Sequence, residues 1–136
     1  MSYRDPRVTT WEKKLEEVFD EIDHVMEDRY GDKYPLHPSR PGKGATSSPS
    51  ADGLFDLGAA FSAGFGSVHG RGYVISVRLS TLARVPADVM ERIEQEVLEL
   101  LNEKLPAAFP GRGLRIERDG HSFKIVGDLS FIPQGP

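Results

Sequence analysis

The side chains in this sequence that could do chemistry are a scattered set of cations and histidines. Arg40 and Lys43 fall in a stretch rich in proline, glycine and serine, His69 and Arg71 in the glycine-rich run Gly64 to Gly72, and Arg78 a few residues further on. Guanidinium and ammonium groups placed among glycine amides grip phosphate or carboxylate groups, because the backbone donors converge without side-chain obstruction. The first reading is therefore a binding or interaction module in which the 35–53 loop and the glycine hairpin shape a mildly basic recess for an anionic small molecule. The alternative is an enzyme in which His69 or His121 acts as acid or base while Arg40 and Arg71 hold the substrate. A third reading is a subunit or adaptor of a larger complex.

More specific motifs fail on their detail. In Gly64-Phe-Gly-Ser-Val-His-Gly-Arg-Gly72 a dinucleotide fingerprint would need glycine where His69 stands, and a helix afterwards. Gly42-Lys-Gly-Ala-Thr-Ser-Ser48 lacks the lysine-serine or lysine-threonine step of a P-loop. Asp20, His24 and Asp28 share one helix edge at four-residue spacing, but two turns of helix rarely close a metal site, so a solvated row of charges is expected and no metal is assigned. His37 reads as a surface histidine. There is no cysteine, which removes thiolate nucleophiles, disulfides and cysteine-ligated metals. No nucleophile, base and acid stand at recognisable spacing around Ser67 or elsewhere. No cofactor is implied.

The elements that must position these groups follow from periodicity. Thr9 and Glu12 form a capping box, and Trp11, Leu15, Val18, Phe19, Ile22, Val25 and Met26 recur at helical spacing, which predicts a helix over about 10–29 closed by a left-handed Gly31. Residues 35–53 contain four prolines, three glycines and four serines and form a long loop. From Leu54 the period becomes two: Phe55, Leu57, Ala59, Phe61 and Phe65 alternate with Asp56, Gly58, Ala60, Ser62 and Gly64. Tyr73, Ile75, Val77 and Leu79 continue the pattern and complete a hairpin over about 54–80. A second helix runs over about 87–105, ended by Pro106. Asp119-Gly120 as the two turn residues predicts a second hairpin over about 113–128, with Arg118 opposite His121 and Ile116 opposite Phe123. The expected fold class is α+β in one domain, ordered α-ββ-α-ββ, with a four-stranded antiparallel sheet and both helices on its aromatic face. The other face should then be small-sided and mildly basic, carrying Ser76, Arg78, Arg115, Glu117, Ser122 and Lys124 beside the glycine and alanine column. Such a panel would be covered by the loop or by a second copy, so a homodimer is expected.

Charge distribution supports this division. The chain of 136 residues carries net charge −4, with residues 1–34 and 86–110 each at −4 and the remainder at +4. Acid thus sits on the helices, base on strands and loops. An acidic chain whose aromatics face the helices is not expected to bind nucleic acid. No apolar run reaches membrane-spanning length and the first residues lack a secretory core, so a cytoplasmic protein without membrane attachment is expected.

Overall fold

A computed structural model describes residues 5–66 and 69–132. The order is α1 (Pro6–Tyr30), a short 3-10 turn (Pro49–Ala51), β1 (Phe55–Ser62), β2 (Gly72–Leu79), α2 (Ala87–Ala108), β3 (Arg115–Asp119) and β4 (Ser122–Val126). The four strands form one antiparallel sheet in the order β1-β2-β4-β3. This is the α+β arrangement that the two periodicities require.

Helix α1 begins a turn earlier than the capping box implies, because Asp5 followed by Pro6 is the stronger start. The Asp5 carboxylate accepts from the Arg7 amide at 2.8 Å, and proline at the first helical position has no amide to leave unpaired. Gly31 stays right-handed (φ −57°) and donates to the Glu27 carbonyl, so the expected left-handed closure is absent. Glycine is required there for space: a Cβ would lie 2.5 Å from the Glu27 carbonyl oxygen. Helix α2 continues past Pro106 to Ala108. The carbonyl that Pro106 cannot bond belongs to Asn102, an exposed residue on the solvent side of the helix.

Both helices lie on the aromatic face. Trp11, Leu15, Phe19, Ile22 and Met26 of α1 and Ile93, Val97, Leu101 and Leu105 of α2 bury against Phe55, Leu57, Tyr73 and Ile125. Tyr30 of α1 donates to Glu96 of α2, and Arg29 adds an ion pair to the same carboxylate at 3.1 Å. Arg78 faces away from the helices and is exposed, as the alternation requires. The aromatic stripe runs out toward the hairpin tip, however: Phe61 is 44% exposed and Phe65 97%.

The second hairpin keeps its faces but not its register. Asp119 pairs with Ser122 and Ile116 with Ile125, so the turn residues are Gly120 and His121, two positions from the expected pairing. Among the described residues only glycines have positive φ, and Gly120 (φ +64°) supplies the first turn position while His121 does not. That excludes the turn type in which both central residues are left-handed, and favours the one led by glycine. A shift of two in the pairing sum leaves every side chain on its own face.

Beyond β4 the chain does not trail away. Leu129, Phe131 and Ile132 are buried, and the Arg71 guanidinium donates to the carbonyls of Leu129 and Ile132, both at 2.8 Å.

Candidate functional site

The expected basic residues are carried to different parts of the fold. Arg40 is surrounded by carbonyl oxygens: Nε donates to Gly53 at 3.0 Å, and Nη2 faces Ser50, Asp52 and Phe55 at 2.7, 3.2 and 3.0 Å. It ties the 35–53 segment to the start of β1. Arg71 sits at the other end of the hairpin, beyond the pair of Ser62 with Gly72. Seven strand positions at about 3.3 Å each separate Phe55 from that end, so Arg40 and Arg71 are on the order of 20 Å apart. His69 approaches the Arg118 carbonyl through Nε2 at 3.1 Å, while His121 is exposed in the second turn. Ser67 and Val68 lie outside the described residues. On the open sheet face Lys124 is buried and bonded to Asp119 at 2.8 Å, and Arg115 bonds Glu117 at 3.0 Å, which neutralises much of the expected basic panel.

Lys43 fastens the loop to α1. Its Nζ donates to Asp23 at 3.0 Å and lies 4.0 Å from Asp52, and both carboxylates are 1% exposed. Asp52 also accepts from the amide and hydroxyl of Thr46, which hold its carboxyl below the usual range. Asp23 behaves oppositely. Burial, opposed by the Lys43 hydrogen bond, raises its carboxyl from 3.8 to about 6. Glu27 accepts from the amides of Leu54 and Phe55 at 2.9 and 3.3 Å, completing the attachment. Among the described residues no three histidine or carboxylate side chains converge on a metal-sized site, and Asp20, His24 and Asp28 stay spread along their helix.

Burial of Asp23 makes the stability of the fold depend on pH. In the unfolded chain the group loses its proton near 3.8, whereas the folded chain keeps it to about 6, so this residue's contribution to stability falls as pH rises between those values. Asparagine mimics the protonated form, and Lys43, whose side chain is 31% exposed, can turn to water. We expect the stability difference between Asp23→Asn and the parent to shift toward the variant by up to about 3 kcal/mol from pH 4 to pH 7. Urea unfolding at several pH values measures it, and a difference constant with pH would contradict the assignment.

A recess of different residues lies where the beginning of α1, the end of α2 and the terminal segment meet. Its floor is aromatic: Trp11 lies 4.3 Å from Phe109 and 5.0 Å from Phe131, ring centre to ring centre. Lys14 stands over the Phe109 ring at 5.5 Å and Arg112 over the Phe131 ring at 4.6 Å. Arg7, paired with Asp5, completes a cationic rim around a space of about 470 Å³. Trp11 Nε1 is buried without an acceptor among the described residues. The sequence does not announce this site, because Phe131 lies outside every periodic run. Arg7 and Lys14, within one turn of Trp11 on either side, were the available signal.

A family model described as an uncharacterised protein matches residues 6–127, from the first residue of α1 to just past β4. The chain belongs to this uncharacterised family. An uncharacterised protein of Borreliella burgdorferi (strain ATCC 35210) is 36% identical over 107 residues, covering 79% of this chain and 84% of that protein. No solved structure matches. Trp11, Lys14, Phe109 and Arg112 fall within the family match, whereas Phe131 lies beyond it. Among the described residues no helix is long and apolar enough to cross a membrane.

Proposed function

We propose that the protein is a small binding module whose ligand is an anion with a flat apolar body, held in the recess of Trp11, Phe109 and Phe131. The observation that carries this reading is the combination of an aromatic floor with the cations Arg7, Lys14 and Arg112 at its rim. A carboxylate or phosphate meets the rim while the body displaces water from the floor. This retains the anion preference expected from the sequence but moves it to other cations: Arg40, Lys43 and Arg71 are bonded within the fold, whereas Lys14 is exposed at the rim beside the looser surface pair of Arg112 with Asp128 at 3.8 Å. The open face of the sheet, with Ala60, Ser76 and Arg78 exposed, is the surface such a module would offer to a second copy.

Trp11 is the sole tryptophan of the chain, so its emission reports on the recess directly. Phenylpropionate should change that emission saturably, and its neutral amide should bind about tenfold more weakly. Replacing Lys14 and Arg112 with glutamate should abolish the preference for the anion. Equal response to the acid and the amide, or an unchanged preference in the double variant, would refute the proposal.

A further inference from the structure

Strand β1 is an edge of the sheet: its start is covered, with Phe55 and Leu57 buried, while the stretch from Ala59 to Phe61 is open. In an antiparallel pair alternate residues turn their amides and carbonyls toward the partner strand, the others away. Phe55 is of the second kind: its amide meets Glu27 at 3.3 Å and its carbonyl meets Arg40 at 3.0 Å, both away from β2. Leu57, Ala59 and Phe61 follow at the same parity, and their outward amides and carbonyls have no partner among the described residues. Natural sheets usually guard such an edge with lysine, proline or a bulge. Here its residues are Leu57, Gly58, Ala59, Ala60 and Phe61, and Phe61 is 44% exposed.

The helix side of this edge is acidic, while on the open face Asp56 stands opposite Arg78. Glu12, Glu16 and Asp20 recur at four-residue spacing along the flank of α1, and with Asp56 they line a groove of about 610 Å³ beside β1. Glu12 accepts from Tyr73 at 2.8 Å, which fixes its carboxylate at the groove. Asp20 is held above the usual carboxylate range by burial and then by Glu16, with His24 and Lys43 acting against them. Arg78 also lines the groove, but from the open face of the sheet.

We infer that the β1 edge is a docking site for an extended basic segment of another protein, which adds to the sheet as a fifth strand. The segment's backbone would pair with Ala59 and Phe61, the accessible outward positions, and alternate lysine or arginine side chains would face Glu16 and Asp20. A second copy of this chain is disfavoured at this edge, because twin β1 strands would bring two rows of Glu12, Glu16 and Asp20 together.

A capped peptide of about seven residues alternating lysine and threonine is a suitable probe, with the same peptide carrying glutamate for lysine as its control. Calorimetry should show binding of the lysine peptide alone, and hydrogen exchange should slow at the amides of Ala59 and Phe61. Glu16→Lys, at an exposed position, should weaken binding about tenfold with the fold retained. Ala59→Pro, with folding checked by circular dichroism, should abolish it by removing an edge donor. Equal binding of both peptides, unchanged affinity in Glu16→Lys, or protection elsewhere than β1 would overturn the inference. Slow exchange at these amides in the free protein, rising with protein concentration, would overturn it in favour of self-pairing.

Discussion

Arg40→Ala is expected to cost about 4 kcal/mol of folding stability and to release the 35–53 segment from the body of the protein. Four carbonyl oxygens from Ser50, Asp52, Gly53 and Phe55 surround one guanidinium. Truncation leaves those acceptors facing a void, in a segment whose large aliphatic content is Leu36 alone. Hydrogen bonds to a charged donor contribute about 1.5–3 kcal/mol each but do not add when they share one side chain. Arg40→Lys should recover less than half the loss, because a compact ammonium cannot span the planar spread of acceptors. Urea unfolding measures the cost, and hydrogen exchange at the Gly53 amide, bonded to the Pro41 carbonyl at 3.0 Å, measures the release. A loss below about 1 kcal/mol would show that the Lys43 and Glu27 attachments hold the loop without it.

The fold was legible because each element announces itself through its period. The seven apolar residues from Trp11 to Met26 specify α1, and the alternation from Phe55 to Leu79 specifies the first hairpin, its inward face and the outward placement of Arg78. The departures are local contests between signals. Asp5-Pro6 outcompeted Thr9 for the start of α1, and Pro106 was tolerated because the carbonyl it leaves unbonded belongs to exposed Asn102. Gly120 took the first place of its turn rather than the second, which moved the register by two and preserved the faces.

The site was less legible, since a sequence does not show where a cation's partners are. Arg40, Lys43 and Arg71 read as free charges on loops, yet buried carbonyls and carboxylates had to be satisfied and these side chains were nearest. The glycine run likewise serves the hairpin in part by steric need. Gly64 (φ +81°) passes so close to the other stem that a Cβ would lie 2.1 Å from the Gly70 carbonyl carbon. The aromatic recess depends on residues far apart in sequence, Trp11, Phe109 and Phe131, whose meeting requires the terminal segment to fold back under Arg71.

Trp11 is where stability and the proposed binding coincide, and the two are separable by substitution. Trp11→Ala removes contacts with Tyr73, Phe109 and Phe131 from a residue 4% exposed, and should cost about 4 kcal/mol by urea unfolding followed with far-ultraviolet circular dichroism. Trp11→Phe should cost less than about 1.5 kcal/mol, because it keeps an aromatic ring in the floor and removes a buried Nε1 that has no acceptor among the described residues. The phenylalanine variant should therefore stay folded and, by calorimetry, still prefer phenylpropionate to its amide, since Lys14 and Arg112 remain at the rim. If it loses more than about 3 kcal/mol, the indole fills space that a smaller ring leaves empty, and the floor is core packing rather than a surface shaped for a ligand.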